Sequence, residues 1–343
     1  MSTVGSGQAA VADLTAGRPD PAGVGQSRRE RVAAAAQRRG SLVVLVVTCL
    51  VASAVFESFA TGANLSNIAL QSSFLAVVAL GMTFVILTGG IDLSVGSMFA
   101  LSGVLAAWAS QYGLVAALLV PLLASAAIGL LNGLLVVRAS MPPFIVTLAT
   151  LLLARGLLLA VTDEGATTRL IGRNSAFARL GQGEVVGIGY PVLVALGLFA
   201  LGALVLQRTG FGQTVFAIGS NEDASRLMGL PVDRVKVLVY VMSGILAGFG
   251  GLMSAAQLSS GVTIVGVGLE LSAISAVVIG GTLLTGGAGT TGGTLAGVIL
   301  LGVIANIINQ IGGLDSSVQA VTNGAFLILV VVAQTYLSRS QRL

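Results

Sequence analysis

Long apolar segments separated by short polar ones run along the chain from residue 42 almost to its end. Ten of them approach the length of about 20 residues that a membrane-spanning helix needs, and they lie at 42–60, 68–88, 95–110, 113–137, 144–161, 187–207, 235–257, 271–285, 291–311 and 318–337. They are apolar on every side, whereas the strands of a membrane barrel alternate between apolar and polar residues. The pattern therefore predicts an all-α polytopic membrane protein with about ten transmembrane helices. Because segments 95–110 and 271–285 are short, this count is open by one or two.

The composition agrees with this class of protein and excludes several kinds of chemistry. Hydrophobic residues make up 55% of the 343 residues, charged residues 9%, and the mean hydropathy is +0.99, which is more apolar surface than a soluble domain can cover. The chain has no His and a single Cys, Cys49, so neither a zinc site nor an internal disulfide is expected. Its one lysine, Lys236, does not follow a phosphate-binding glycine pattern, and we expect no metal, nucleotide or other cofactor in this chain.

The arginine residues are distributed unevenly between the two sides of the membrane. Those that precede the first span are Arg28, Arg29, Arg31, Arg38 and Arg39. With ten spans, the same side also carries Arg138, Arg208, Arg226, Arg234, Arg339 and Arg342, against Arg169, Arg173 and Arg179 on the other. Because positive residues are enriched on the cytoplasmic side, both termini are predicted to be cytoplasmic. The net charge of +4 thus reflects topology, and we expect no nucleic-acid partner, since no basic patch interleaves with aromatic residues.

Polar sequence flanks the membrane region, and glycine interrupts it. Residues 1–40 are predicted to be a disordered cytoplasmic tail, residues 41–337 the transmembrane domain, and residues 338–343 a short cytoplasmic tail. Within the domain, two stretches at 88–96 and 280–293 are rich in glycine. They predict broken or re-entrant helices, which in transporters often lie near the permeation path. The glycines at these structural breaks are Gly89, Gly90, Gly280 and Gly281.

Two charged residues in or beside the predicted spans are candidates for the permeation path. Asp92, with Ser94 two residues later, lies where a helix begins after the first glycine break. Its carboxylate either caps that helix or faces the path. Arg155 lies inside segment 144–161 and needs a partner, for which we predict Glu270. Snorkelling of Arg155 to the membrane surface is the alternative.

Amide side chains form stripes on two predicted helices. Asn306, Asn309 and Gln310 share one face of segment 291–311 through their i, i+3 and i+4 spacing. Asn132 belongs to a similar stripe in segment 113–137. Packing between helices is the favoured interpretation of both stripes. The alternative is that the amides line a path for a neutral, hydroxyl-rich substrate.

The longest predicted cytoplasmic loop, residues 208–234, contains a short helical pattern that ends at a Gly with a Pro just beyond it, which is a helix-stop signal. The helix is either a solvated part of the loop or a segment that lies in a groove on a partner protein. The small residue Ala224 and the apolar pair Leu227-Met228, which is expected to be exposed, favour the second interpretation. The residues of this pattern are Asn221, Glu222, Ala224, Arg226 and Gly229.

Four sequence blocks, taken together and in order, resemble the permease subunits of ribose-type ABC importers. They are residues 81–96, residues 142–148 with Ala154-Arg155-Gly156, the 222–229 loop, and residues 276–282 with the Gly-rich run that follows. The resemblance covers about residues 40 to 337. It implies a multi-pass protein of the bacterial plasma membrane that forms the path for a ribose-type monosaccharide or a related polyol, and it leaves the particular sugar open.

The same resemblance implies several partners. They are a cytoplasmic ABC ATPase subunit that binds and hydrolyses the ATP, an extracytoplasmic sugar-binding protein, and a second copy of this chain in a homodimer within the lipid bilayer. The 222–229 loop resembles the coupling segment that docks on the ATPase, and the chain itself is not expected to be an enzyme. An ion-coupled secondary transporter is the alternative; it needs carboxylates in the membrane, for which Asp92 is the candidate.

Overall fold

The computed structural model describes residues 28–172 and 175–311 and seven positions between residues 318 and 332, with side chains described from Gly40 onward. The predicted span 318–337 therefore lies mostly outside the described residues, and residues 1–27 and 338–343 of the predicted tails lie wholly outside them. Residues 28–39 are helical, unlike the disordered tail predicted there. The reason is that this stretch is rich in Ala, Arg, Glu and Gln, which favour helices.

The described residues form twelve α-helices. In chain order they are α1 (Arg28–Val55), α2 (Gly62–Leu87), α3 (Val95–Ala109), α4 (Leu114–Arg138), α5 (Pro143–Ala160), α6 (Ala176–Gln182), α7 (Tyr190–Arg208), α8 (Gly210–Ser220), α9 (Glu222–Leu227), α10 (Val232–Leu258), α11 (Leu269–Ile279) and α12 (Thr291–Ile311). Six of them, namely α2, α4, α5, α7, α10 and α12, are long and apolar enough to cross a membrane. The chain is thus an all-α polytopic membrane protein.

The remaining predicted spans correspond to shorter helices or lie mostly outside the described residues. The apolar part of α1, Gly40–Val55, and α11 are both shorter than a full span, and α3 has 15 residues. The helix predicted at 271–285 instead ends at Ile279. Glycine ends it there, because Gly281 adopts a φ of 90° that a residue with a side chain disfavours.

Two pairs of two-residue strands order the loop between α5 and α7. β1 (Arg169–Leu170) pairs antiparallel with β4 (Ser260–Gly261), and β2 (Glu184–Val185) pairs antiparallel with β3 (Ile188–Gly189). In the same loop, Gln182 Nε2 of α6 donates to Gln257 O at 3.1 Å and to Ser259 Oγ at 2.7 Å. These bonds attach the loop to the end of α10.

α2 and α10 form the centre of the molecule, whereas α4, α5 and α7 are the most exposed of the six spans. α10 packs closely on its neighbours at glycines. A Cβ on Gly129 of α4 would overlap Tyr240 O of α10, and a Cβ on Gly251 of α10 would overlap Phe99 O of α3. Small residues at such crossings allow membrane helices to approach closely.

Candidate functional site

Asp92 lies at the centre of a buried network of hydrogen bonds. Its Oδ1 accepts from the backbone N–H of Ser94 at 3.0 Å and from the hydroxyl of Ser94 at 2.5 Å. Its Oδ2 accepts from Ser243 Oγ of α10 at 2.8 Å. Asp92 therefore closes a turn onto Ser94, the residue that precedes α3, and it also attaches this turn to α10.

Asn132 extends this network to α4 and α5. Its Nδ2 donates to Ser94 Oγ at 2.9 Å, and its Oδ1 accepts from Thr150 Oγ1 at 2.7 Å. Asp92, Ser94 and Asn132 are each 0% exposed, so the structure brings these three predicted residues together in the interior rather than on an open surface. Sequence reasoning missed Ser243 and Thr150, because hydroxyl residues in helices commonly bond to their own backbone and give no separate signal.

A cavity of about 210 Å³ opens between α2, α11 and α12. Its polar lining consists of Gln71, Ser72, Ser272 and Asn306, and no charged side chain lines it. The rest of the lining is formed by Ile68, Leu75, Leu269, Leu301, Gly302 and Ala305. Of the polar residues, sequence reasoning singled out Asn306 alone. The sequence does contain a signal that could have identified Gln71, because its amide lies inside the apolar segment 68–88.

Asn306 also belongs to an amide cluster at the edge of this cavity. Asn306 Nδ2 donates to Asn64 Oδ1 at 2.7 Å, and Asn64 Nδ2 donates back to Asn306 Oδ1 at 3.1 Å. Gln310 Nε2 donates to Asn306 Oδ1 at 2.8 Å and Gln310 Oε1 accepts from Ser58 Oγ at 3.1 Å. Asn309 is exposed and its side chain forms no hydrogen bond with the described residues. The predicted stripe therefore divides into two bonded amides and one free amide.

Among the described residues Arg155 and Glu270 do not form the direct ion pair that the sequence predicts, although their charges lie close enough to attract each other. Arg155 Nη1 instead donates to the backbone carbonyl of Thr263 at 2.9 Å, and the ion pairs of the described residues do not include this pair. The loop between β4 and α11 supplies the carbonyl that the guanidinium needs. The Glu270 carboxylate lies instead against Gly96 in the first turn of α3, where a Cβ would overlap Oε2.

The glycine breaks pack against backbone in two different places. Gly280 lies against the start of α12, where a Cβ would be 2.5 Å from Gly293 O. Further along the second break, Gly287 N–H donates to Leu87 O, in the last residue of α2, at 3.0 Å. Gly90 lies under Tyr240, whose Oη would be 2.6 Å from a Cβ at that position. The two breaks that the sequence separates therefore meet at the end of α2.

The end of α8 joins the same contact. A Cβ on Gly219 would overlap Leu87 O, and a Cβ on Gly286 would lie 2.8 Å from Gly89 N and 3.0 Å from Gly219 Cα. We call Gly89, Gly219, Gly286 and Gly287 the glycine junction. Three chain segments touch there through backbone atoms, and α9 begins three residues after Gly219.

α9 is the short polar helix that the 208–234 loop predicts. Asn221 caps it, since its Oδ1 accepts from Ala224 N–H at 2.9 Å. Gly229 follows its end with a φ of 76°, and a Cβ there would meet no atom within 4 Å. Leu227 is 90% exposed and Met228 68% exposed. The two side chains form an exposed apolar pair beside the polar residues of α9.

Ion pairs fix α9 to the start of α10. Glu222 contacts Lys236 at 2.8 Å and Arg226 at 3.0 Å, and Arg226 contacts Asp233 at 2.6 Å. Partial burial raises the pKa of Glu222, but the hydrogen bonds and charges of Lys236 and Arg226 outweigh it and the pKa is lowered. The hydrogen bonds that Arg226 donates to Asp233 and then to Glu222 raise the pKa of Arg226. Both side chains are therefore charged at neutral pH, and their ion pairs connect α9 with α10.

These features are typical of a membrane transport protein. They are apolar helices interrupted at glycines, an uncharged polar cavity between three helices, and an ion-paired helix outside the spans. A model of the family described as "Branched-chain amino acid transport system / permease component" matches residues 64–333, and the chain belongs to this family. It is thus a permease component of a transport system and not an enzyme.

Relatives with this architecture are similar along most of their length. The chain is 37% identical over 300 residues to the ribose import permease protein RbsC of Haemophilus influenzae, which covers 87% of this chain and 93% of the relative. It is 39% identical over 297 residues to RbsC of Escherichia coli K12, covering 85% and 92%. It is 35% identical over 337 residues to the L-arabinose ABC transporter permease protein AraH of Azospirillum brasilense, covering 98% of both. No solved structure is significantly similar to the chain.

Proposed function

We propose that this chain is the membrane subunit of an importer that carries a neutral sugar across the bacterial plasma membrane, driven by a separate cytoplasmic ATPase. The observation that carries the proposal is the identity of 35–39% to ribose and L-arabinose permeases along 85–98% of the chain. The chain has no nucleotide-binding motif, so in this proposal a separate subunit hydrolyses the ATP.

A neutral sugar fits the cavity better than the amino acid in the description of the family. An amino acid carries a carboxylate and an ammonium group, and removing either from water without a charged partner is costly. The cavity between α2, α11 and α12 is lined by amide and hydroxyl groups and by no charged side chain. Such groups both donate to and accept from hydroxyl groups, which favours a sugar.

The proposed assembly contains two copies of this chain, a cytoplasmic ABC ATPase subunit and an extracytoplasmic sugar-binding protein. Ten crossings of the membrane with both termini in the cytoplasm would place α9 on the ATPase side. The exposed Leu227 and Met228 then form the apolar surface of a coupling helix, and Asn221, Glu222, Ala224, Arg226 and Gly229 hold its shape. A short helix lying in a groove of the partner is a common mode of recognition.

The glycine junction supports this coupling role. Gly219 precedes α9, and its backbone touches both glycine breaks. Because close backbone contacts lack flexible side chains that absorb a displacement, a push on α9 is transmitted directly to the ends of α2 and of the loop before α12. Those segments adjoin the buried network of Asp92 and the helix pair α11–α12.

The docking role is tested by introducing two carboxylates into the exposed apolar pair, in the double variant Leu227→Glu with Met228→Glu. Replacing exposed apolar anchors of an interface by carboxylates should lower co-purification of the ATPase about tenfold and abolish ATP-driven ribose uptake in vesicles. Val186→Glu is the matched control, since Val186 is 96% exposed in the turn between β2 and β3, away from α9. Unchanged ATPase binding by the double variant would exclude α9 as the coupling helix. Uptake by the purified chain without any ATPase would instead favour an ion-coupled transporter.

A further inference from the structure

Three polar side chains converge on the cavity between α2, α11 and α12 without a hydrogen-bonding partner in the described part of the chain. They are Gln71 and Ser72 of α2 and Ser272 of α11. Ser72 Oγ is buried and has no partner, and the residue is only 7% exposed. A Cβ on Gly302 would overlap Ser72 Oγ, so the glycine of α12 leaves the space into which this hydroxyl points.

Neighbouring serines on the same two helices do have hydrogen-bonding partners. Ser73 Oγ donates to Leu70 O at 2.6 Å, and Ser275 Oγ donates to Leu271 O at 2.7 Å. A serine in a helix commonly satisfies its hydroxyl in this way on the preceding turn. Within the described residues neither Ser72 nor Ser272 donates such a bond. Ser72 Oγ is buried, and an unpaired polar group removed from water is costly.

The cavity selects a ligand by its charge and its size. Hydroxyl and amide groups match the hydroxyls of a polyol, which also donate and accept hydrogen bonds. A charged ligand would find no counter-ion among the lining residues. The volume of about 210 Å³ is below the ~300 Å³ at which pockets for drug-sized ligands begin, so it suits one monosaccharide-sized molecule.

We propose that this cavity is a subsite of the permease itself, in which Gln71, Ser72, Ser272 and Asn306 bind the hydroxyl groups of one neutral monosaccharide or polyol during its passage. The proposal rests on the proposed function and adds to it that this chain contributes to substrate selection. Asn306 is held in place by Asn64 and Gln310, which orients one amide of the site before the ligand arrives.

Binding is tested in the absence of any ATPase or binding protein. We place Ser272→Cys in a Cys49→Ala chain in nanodiscs, where the new thiol should react with a methanethiosulfonate reagent. D-Ribose should slow this reaction several-fold, and L-isoleucine should not. Leu271→Cys is the control, because Leu271 is 55% exposed and does not line the cavity. Its labelling should be independent of either compound. Slowing by L-isoleucine and not by D-ribose would overturn the assignment of ligand class.

Transport gives a second and separate measure. In vesicles with the ATPase and the binding protein, Ser72→Ala and Gln71→Ala should each lower the kcat/KM of D-ribose uptake about fivefold, which corresponds to one hydrogen bond. Ser73→Ala should have no effect, because it removes only a bond within α2. An equal effect of Ser73→Ala, or no effect of the other two together with no protection at position 272, would refute the subsite. Protection by D-ribose without ATP-driven uptake by the unmodified chain would refute the proposed function and leave the subsite standing.

Discussion

The polar residues in and beside the spans include two groups that differ in their surroundings. Asp92, Ser94 and Asn132 are fully buried and satisfy one another. Gln71 and Ser72 face a cavity and have no partner among the described residues. Because an unmet polar group is costly in an apolar environment, the first group stabilises the fold. The buried hydroxyl of Ser72 and the exposed amide of Gln71 are available to a ligand.

A pair of asparagine substitutions separates these roles. Asn132→Ala removes two buried hydrogen bonds between helices and leaves a gap, and we expect it to lower the free energy of unfolding by about 1–2 kcal/mol. Asn309→Ala is the control, because Asn309 is exposed without a partner in the described residues, and it should change the value by less than about 0.5 kcal/mol. Thermal unfolding of the purified variants in detergent measures both. Equal stability of the two variants would mean that the network around Asp92 does not stabilise the fold.

At the scale of elements, the short helices α3 and α11 are the ones that adjoin the glycine breaks. Each begins after a loop and each starts beside a carboxylate, Asp92 before α3 and Glu270 in the first turn of α11. At the glycine junction, the break before α3 and the break after α11 both contact Gly219, near the end of α8 and three residues before α9. The elements interrupted within the membrane are therefore the ones in contact with the coupling segment.

This arrangement predicts a specific defect for Gly219→Ala. The added Cβ overlaps backbone atoms of Leu87 and Gly287, which cannot rotate away, so the junction must open at a cost of about 1–3 kcal/mol. We expect ATPase co-purification to persist and the amount of sugar imported per ATP hydrolysed to fall. Gly292→Ala in α12 is the control, since a Cβ there meets no atom within 4 Å. Normal coupling in Gly219→Ala would show that the junction does not transmit movement.

At the scale of the whole molecule, the described spans surround α2 and α10, and the exposed apolar faces of α4, α5 and α7 are suited to lipid or to a second copy. The loop between α5 and α7 and the segment that contains α8 and α9 lie at opposite ends of the 19-residue helix α7. With the arginine bias, this separation leads us to expect the first loop outside the cell and α9 inside.

Accessibility of single cysteines in a Cys49→Ala chain tests this topology. In intact cells, Val186→Cys should react with an impermeant thiol reagent, and Asp223→Cys should react only after the membrane is permeabilised. Both positions are exposed, so a difference in labelling reports the side of the membrane rather than burial. The reverse pattern would place the termini outside and would remove α9 from the reach of a cytoplasmic ATPase.

The sequence by itself determined the class of protein, the positions of most helices, both glycine breaks and the polar helix of the 208–234 loop. These properties are local, because the length of an apolar segment, a capping residue and a glycine with positive φ act within a few neighbours along the chain. Gly229, for example, is predicted to end a helix with a left-handed backbone, and its φ of 76° confirms this.

The tertiary structure alone decided which polar residues meet. Asn132 bonds to Ser94, 38 residues away, Arg155 bonds to a loop carbonyl rather than to Glu270, and Ser72 faces a cavity while Ser73 bonds to its own helix. Helices that are apolar on every side carry no periodic signal for their rotation or for their neighbours. Such contacts follow only from the packing of the whole bundle, and for this reason the candidate path of this permease was not determined by its sequence.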